Sequence, residues 1–262
     1  MPICAYCKEN RELCLSHAIP NGFFKGIKRE NSGRLIHLQD GQDDNRYSTH
    51  TGEAKLLCKA CEAYFNKEFD SPIVNAFKAW DRSIVENGFG TKFEFSPNHI
   101  TQALASIFWR ACVSPSVLYE NAKVSVEDKE ALLEVVKSPR TQALKLSSCS
   151  ISRLYDKRPV SEGGFSQEHF PQIIELVNAY KASIDGSGAK QYSAFTIVVQ
   201  GFVCTMILPR LPHSKRSKPM FLKSNKPFLH APLLYFLDYP PMERLMISAL
   251  KKHENGQSKL QR

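Results

Sequence analysis

Two closely spaced cysteine pairs, Cys4/Cys7 and Cys58/Cys61, restrict the fold of this chain more than any other feature. Each pair has the Cys-x-x-Cys spacing, which holds two sulfurs about one tetrahedral edge apart, and two such pairs complete a zinc site. The alternatives are a redox pair in each case, or buried thiols. Neither pair lies in the strand–helix context of thioredoxin-like motifs. We therefore expect one structural Zn²⁺, held by all four cysteines.

Composition and length predict a folded protein of the cytoplasm. The 262-residue chain is 42% hydrophobic and 23% charged, as globular proteins are. Its N-terminus lacks the charged and apolar regions of a secretory signal. The longest nearly apolar run, residues 194–208, is too short to cross a bilayer as a helix, so we expect no membrane partner. Eight cysteines without an export signal favour thiols or metal ligands over disulfides.

The net charge of +9 comes entirely from the C-terminal part of the chain. Residues 1–98 hold 13 basic and 13 acidic side chains, whereas residues 99–262 hold 22 and 13. Residues 186–237 contain no Asp or Glu at all. This excess predicts a surface for nucleic-acid phosphates, and a solvated basic loop without a partner is the alternative. The candidate phosphate-binding residues are Arg210, Lys215, Arg216, Lys218, Lys223 and Lys226.

Hydrophobic periodicity predicts short strands followed by helices in the first two thirds of the chain. Strands are expected over 13–19 and 35–38. A helix from Leu57 is expected to end or kink at Ser71-Pro72 and to resume over 73–80. The remaining helices are predicted from Ser96, from Ser125 with Asp128 in a capping-box pattern, and over 166–184.

The last third of the chain has the pattern of a β region closed by a helix. β-Branched and aromatic residues over 192–199 and 202–208 flank Gln200-Gly201 and predict an antiparallel hairpin. Residues 228–237 are a further candidate strand, and Pro240-Pro241 opens a last helix. Cys112 and Cys204 lie in apolar segments and are expected to be small core residues.

The order of the elements predicts an α+β fold around the zinc. The first cysteine pair lies in a turn before a short strand, and the second lies at the start of a helix. A knuckle, a hairpin and a helix that share one zinc constitute a treble-clef finger. We expect a ββα zinc finger over residues 1–80. Residues 81–262 should form a helical middle, a C-terminal antiparallel hairpin or small sheet, and a terminal helix. This part also contains the basic stretch, by which we mean residues 210–226.

Three motifs together resemble the zinc-bearing branch of the HNH endonucleases. They are Cys4-x-x-Cys7, Ser16-His17-x-Ile19-Pro20 and Leu57-Cys58-x-x-Cys61-Glu62-x-x-Phe65. More narrowly, they resemble bacterial proteins with Ser-His-Ile-Ile-Pro and Leu-Leu-Cys-x-x-Cys-Glu motifs. Phe108-Trp109-Arg110-Ala111 resembles a Trp-Arg-Ala motif of the same group. The resemblance covers the first third of the chain well and the rest thinly.

The resemblance implies a ββα-metal nuclease centre. His17 falls at the position of the general base that deprotonates water, and Glu62 falls where a residue on the helix holds a catalytic Mg²⁺ or Mn²⁺. Asp70 either adds a metal oxygen or merely flanks the end of the helix. Because the zinc would fix both the strand end and the helix start, we expect His17 and Glu62 to face one another across a small cleft.

Two positions depart from the family pattern. Ser16 stands where an acid usually precedes the base, and Glu53 stands where an Asn usually orients it. Ionised Glu53 cannot donate a hydrogen bond, so either Asn45 or another loop group orients His17, or the centre is weakened.

Each candidate also has a structural interpretation. His17 could be a structural histidine beside the zinc, and Glu62 a first-turn acid that the helix dipole favours. Trp109 is expected in the core, and Arg110 is expected in an ion pair rather than as a phosphate clamp.

Two functions from different classes follow. The first is a metal-dependent endonuclease that hydrolyses phosphodiester bonds, with DNA as the expected substrate and phage defence as a setting that the resemblance suggests. The second is a non-catalytic zinc-finger module that binds nucleic acid or a protein partner. His17 and Glu62 favour the enzyme, whereas Ser16 and Glu53 favour the module. A zinc-linked oxidoreductase has no support, because neither GxGxxG nor GxxxxGK[ST] is present.

Overall fold

A computed structural model describes residues 2–37, 46–88, 93–183, 190–229 and 231–256. The protein is mixed α/β, and the N-terminal elements alternate short strands with helices. In chain order they are β1 (Leu13–Ser16), α1 (Asn21–Glu30), β2 (Leu35–His37), β3 (Arg46–Ser48), β4 (Ala54–Cys58), α2 (Lys59–Phe65), a π-helical segment (Asn66–Asp70) and α3 (Ser71–Asn87).

The middle of the chain is mainly helical, and the C-terminal part is a sheet followed by a helix. The middle elements are β5 (Phe93–Glu94), α4 (Pro97–Val113), a 3₁₀ helix (Val117–Ala122), α5 (Val126–Lys137) and α6 (Ala143–Leu146). The C-terminal elements are β6 (Ser148–Tyr155), 3₁₀ turns at Val160–Glu162 and Phe170–Gln172, β7 (Glu175–Ser183), β8 (Gln191–Val199), β9 (Phe202–Leu208), α7 (His213–Arg216), β10 (Phe228–Leu229), β11 (Leu233–Tyr235), a 3₁₀ turn (Phe236–Asp238) and α8 (Pro240–Glu254).

The N-terminal part is built on an antiparallel pair, β1 with β4, in which Leu13 lies opposite Cys58. Helix α2 begins directly after β4, with Cys58 as its N-cap. The predicted helical start at Leu57 is therefore wrong: Leu57 is in β4, where pairing with β1 outweighs its helical spacing. The chain does not leave the helical conformation at Ser71-Pro72, where a break or kink is predicted. A π-helical segment leads directly into α3, and Pro72 lies in the first turn of α3, where a proline is tolerated.

Helix α4 lies at the centre of the molecule, and almost all of its side chains are buried. It contacts α3, the π-helical segment, α5, α6 and β9. A helix that is buried all round needs small residues where its neighbours approach, and Ala103, Ala105 and Ala111 supply them. The predicted helix from Ser96 is confirmed as α4. Ser125 caps α5 as predicted, because its Oγ accepts from the Asp128 N–H at 3.2 Å.

The largest sheet has the strand order β11-β6-β9-β8-β7 and is antiparallel except for the β11–β6 pair. The predicted hairpin is confirmed as β8–β9. Gln200 and Gly201 connect its strands with φ of 51° and 73°, as a tight hairpin turn requires. A Cβ on Gly201 would come within 2.5 Å of Arg153 Nη1, so glycine is also required sterically.

The predicted helix over 166–184 is wrong, because residues Glu175–Ser183 form the edge strand β7. The register of β7 against β8 shifts between Glu175 and Asn178. Such a bulge interrupts the two-residue alternation of a strand, and the remaining apolar spacing then imitates a helical face. The predicted strand over 228–237 is two short strands instead, with β10 paired to β5 and β11 paired to β6.

One apolar cluster joins the N-terminal part to α4 and the large sheet, and it includes Phe65, Trp80, Phe108 and Phe195. A second cluster packs β11 and α8 on the sheet around Phe170 and Phe236. The boundary expected between residues 80 and 81 falls within α3, and the division into two domains stays a prediction. Among the described residues, no helix is long and apolar enough to span a membrane.

Candidate functional site

The four cysteines of the two Cys-x-x-Cys pairs converge on one point. Their sulfur atoms all lie within 4.8 Å of one another, and Cys7 Sγ is 4.0 Å from Cys58 Sγ. Zinc–sulfur distances of about 2.3 Å in a tetrahedron place sulfurs about 3.8 Å apart. The cluster therefore has the donor set and nearly the dimensions of a zinc site, and it could hold such a metal.

Backbone contacts hold the cysteines in place. The Cys58 N–H points at Cys4 Sγ, 3.3 Å away, and Ala5 N–H donates to Leu56 O at 3.1 Å. Lys8 has φ of 63° and closes the first Cys-x-x-Cys turn by donating to Cys4 O. Burial and the neighbouring thiols raise the pKa of Cys61. A bound cation would therefore be needed to hold all four sulfurs as thiolates.

His17 follows β1 and its side chain is 23% exposed. Its Nε2 lies 3.0 Å from Thr51 Oγ1 and 3.8 Å from Glu53 Oε2. Thr51 is buried, and its hydroxyl donates to Glu53 Oε2 at 2.7 Å. Thr51 thus bridges His17 and Glu53, and we call these three residues the His17–Thr51–Glu53 relay.

The relay determines which nitrogen of His17 carries the proton. Hydrogen bonds from Thr51 lower the pKa of Glu53 to about 2, so its carboxylate is ionised and can only accept. The single Thr51 hydroxyl proton points at Glu53, and the Thr51 oxygen must then accept from Nε2–H of His17. The lone pair of His17 is left on Nδ1. Burial lowers the pKa of His17 below its usual value, which favours the neutral ring at pH 7.

Glu62 lies in the first turn of α2, next to Cys61. Its Oε2 atom is buried and has no hydrogen-bond partner among the described residues. The carboxylate is close enough to His17 to raise the pKa of that imidazole, which opposes the effect of burial. A buried carboxylate oxygen without a partner is costly, and it is a ready ligand for a hard cation.

The other residues near this site have structural contacts. Ser16 is buried, and its Oγ accepts from the Leu57 N–H at 3.3 Å, which joins β1 to β4. Asp70 accepts two hydrogen bonds from the fully buried Arg110, the one from Nη1 at 2.9 Å. This pair gives Asp70 a structural partner, and its part as a metal ligand stays a prediction. Asn45 lies outside the described residues.

The motif Trp109-Arg110 packs α4 against the N-terminal part. Trp109 is buried and stacks on Phe65 with ring centroids 5.8 Å apart, and Arg110 lies over the same Phe65 ring at 5.3 Å. Both the predicted core role of Trp109 and the predicted ion pair of Arg110 agree with these contacts.

A cavity of 890 Å³ opens beside Glu53. Arg34, Tyr47 and His50 also line it, and the Arg34 guanidinium lies 5.4 Å from the centre of the Tyr47 ring. A cation beside an aromatic ring suits a phosphate and a base of a nucleic acid. Neither Thr51 nor Arg34 is predicted as a site residue from the sequence, because a single Thr or Arg in an irregular loop belongs to no periodic pattern or motif.

The predicted phosphate-binding residues divide between two cavities. Lys215 and Lys218 are exposed and line a cavity of 1100 Å³ on the large sheet, together with Lys123 and Arg244. The remaining four line a separate cavity of 370 Å³; they are Arg210, Arg216, Lys223 and Lys226. The basic stretch is therefore folded around two concave surfaces.

No protein-family model matches the chain, and searches of curated proteins and of solved structures returned no significant match.

Proposed function

We propose that this protein is a metal-dependent endonuclease of the HNH type, which hydrolyses phosphodiester bonds with DNA as the expected substrate. The observation that carries the proposal is the His17–Thr51–Glu53 relay, which assigns the proton of neutral His17 to Nε2 and its lone pair to Nδ1. The proposal includes a treble-clef finger, formed by the cysteine turn, β1, β4 and α2 around a structural Zn²⁺.

His17 acts as the general base in this mechanism. Nδ1 takes a proton from water, the resulting hydroxide attacks phosphorus, and the bond to the 3′ oxygen breaks, with that oxygen taking a proton from solvent. The imidazolium keeps its Nε2–H bond to Thr51. Ionised Glu53, 3.8 Å from Nε2, stabilises the positive charge that His17 gains.

Glu62 is the residue that would hold a catalytic Mg²⁺ or Mn²⁺, because its buried Oε2 lacks a partner among the described residues. Such a cation, when bound, supplies charge stabilisation for the phosphorane and the leaving oxygen. Arg34 and Tyr47 line the adjacent cavity, where they would bind a phosphate and a base of the substrate.

Cleavage of plasmid DNA and of RNA by the purified protein, with Mg²⁺, Mn²⁺ or EDTA, tests the proposal. His17→Ala should lower the cleavage rate by roughly 10²–10⁴-fold, because it removes the general base. Its zinc content and melting temperature should stay unchanged. His169→Ala, at an exposed histidine of the C-terminal part, is the matched control and should cleave normally. Equal rates for His17→Ala and the unmodified protein would refute the proposal.

The second candidate, a non-catalytic zinc module, is favoured by the engagement of Ser16 and Asp70 in structural contacts. It predicts nucleic-acid or protein binding without cleavage under any metal condition. Binding that survives in His17→Ala, together with no cleavage by the unmodified protein, would favour this function.

A further inference from the structure

The cavity of 370 Å³ beside the basic stretch, which we call the anion pocket, is lined by Arg210, Arg216, Lys223 and Lys226. His213 and several serines complete its polar lining, and no described residue that lines it is Asp or Glu. The pocket lies between the segment that follows β9 and the turn at 223–226. It therefore concentrates positive charge on a concave surface.

The cations of the anion pocket lack counter-charges within the described part of the chain. The ion pairs there include none of its four basic residues. Arg210, Arg216 and Lys223 are nevertheless half-buried, and the buried Arg210 Nε has no hydrogen-bond partner among the described residues. Burial of the guanidinium, and also the nearby charge of Arg210, lower the pKa of Arg216. Repulsion between partly buried cations is costly unless an anion compensates it.

Backbone carbonyls hold two of these cations in position. Arg216 Nε donates to Leu211 O at 2.8 Å, and Lys223 Nζ donates to Ser217 O at 3.1 Å. Leu211 is itself anchored, because its N–H donates to Ser148 Oγ at 2.9 Å. The two terminal nitrogens of Arg216 make no hydrogen bond to the described residues, so this edge of the guanidinium is free to bind a ligand.

The size of the anion pocket restricts the ligand. Its volume of 370 Å³ is near the lower end of small-molecule sites, which span about 300–1,000 Å³. The two guanidinium groups match the geometry of phosphate oxygens. A phosphate monoester carries a charge of about −1.5 to −2 at pH 7, more than a phosphodiester, and compensates clustered cations better.

We propose that the anion pocket binds a phosphate monoester through Arg210, Arg216 and Lys223, either on a free nucleotide or at the phosphorylated end of a nucleic-acid strand. The inference refines the proposed function by adding a site for a terminal phosphate, and its strand-end form rests on that function acting on nucleic acid. It assigns these residues to one terminal phosphate, while Lys215 and Lys218 remain available for the backbone.

Calorimetric titration of the full chain with AMP and with adenosine tests the proposal. AMP should bind and adenosine should not. Arg210→Gln and Arg216→Gln should each weaken AMP binding at least tenfold. Arg82→Gln, at an exposed arginine of α3, removes the same charge outside the pocket and should bind AMP normally. Lys223→Gln is a further variant in case an arginine variant fails to fold. Equal binding of adenosine, or unchanged AMP affinity in the folded pocket variants, would overturn the proposal.

The source of the phosphate is distinguished in the His17→Ala background, where cleavage cannot interfere. Tighter binding of a 5′-phosphorylated oligonucleotide than of its 5′-hydroxyl counterpart identifies a strand end as the ligand. Binding of AMP without this preference identifies a free nucleotide. If the protein binds neither AMP nor the 5′-phosphorylated oligonucleotide, the proposal is overturned, whatever the cleavage assay shows. Conversely, AMP binding by a protein that cleaves nothing supports the pocket while contradicting the nuclease.

Discussion

At the scale of single residues, Thr51 decides how His17 can react. Its hydroxyl donates to Glu53 and accepts from His17, which assigns the His17 proton to Nε2 and the lone pair to Nδ1. The family that the motifs resemble uses an Asn at the position of Glu53. Glu53 does not leave His17 without a partner, because the Thr51 hydroxyl connects the imidazole to the Glu53 carboxylate.

Thr51→Val should lower the proposed cleavage rate about tenfold, because a hydrogen bond that orients the base is worth roughly 1.4 kcal/mol. Thr51→Ser keeps the hydroxyl and should retain most of the rate. In the unmodified protein, the rate should rise with pH, with a midpoint below the ordinary histidine pKa of about 6.5, because burial lowers the pKa of His17 and the base must be neutral.

Rate–pH profiles of the three proteins, with zinc content measured in each, check this prediction. A profile of Thr51→Val that matches the unmodified protein in height and midpoint would mean that Thr51 does not position His17.

At the scale of elements, one cysteine cluster holds two turns, a strand pair and a helix together. Cys4 and Cys7 precede β1, Cys58 ends β4, and Cys61 lies in the first turn of α2. Two buried Arg–Asp pairs then connect this part to the rest: Arg110–Asp70 joins α4 to the π-helical segment, and Arg153–Asp81 joins β6 to α3.

Cys58→Ser should reduce bound zinc from one per chain and lower the melting temperature by more than about 5 °C, because 1 kcal/mol shifts it about 2–4 °C in a chain of this size. Cys14→Ser changes a half-buried cysteine outside the cluster. It should keep both the bound zinc and the melting temperature of the unmodified protein. Elemental analysis and thermal unfolding measure the two quantities. Absence of zinc from the freshly purified, unmodified protein would exclude a structural zinc site.

Arg110→Met should lower the free energy of unfolding by about 3–5 kcal/mol, because it leaves Asp70 buried without its counter-charge. Adding Asp70→Leu should recover part of this loss, since neither charge then remains. The exposed pair Arg140–Glu68 is the control, and Arg140→Met should cost less than about 1 kcal/mol. Denaturant unfolding of these variants and the unmodified protein measures the coupling, and equal losses for Arg110→Met and Arg140→Met would contradict the prediction.

At the scale of the whole molecule, charge and chemistry are separated along the chain. The first 98 residues are neutral in sum and carry the candidate catalytic centre, whereas the C-terminal part carries the whole positive excess. A shared apolar core packs these parts together through α4. If the protein acts on nucleic acid, most of the ionic contacts with its phosphates should therefore come from the C-terminal part.

Replacing Lys215 and Lys218 together with Gln should weaken nucleic-acid binding of any sequence. The slope of log affinity against log salt should fall by about 2, because each lysine that binds a phosphate releases about one counterion. Folding should be unaffected, because both side chains are exposed. The double variant Arg82→Gln, Lys251→Gln removes two exposed charges elsewhere and is the control. Nucleic-acid binding titrations at several salt concentrations measure this slope. If it is unchanged in the Lys215/Lys218 variant, these lysines do not bind phosphates.

The sequence by itself predicted those features that depend on local interactions or on residues with a distinctive spacing. The matched spacing of the two cysteine pairs predicted their convergence, and the cap at Ser125, the β8–β9 hairpin and the start of α8 follow from residues within a few positions of one another. Only the tertiary structure decided β7, because a bulge interrupts the strand alternation that would have identified it. It also decided the Thr51 contact, the Asp70–Arg110 pair and the division of the basic residues between two cavities. These features join side chains that are distant along the chain, and only packing brings their atoms within hydrogen-bonding distance.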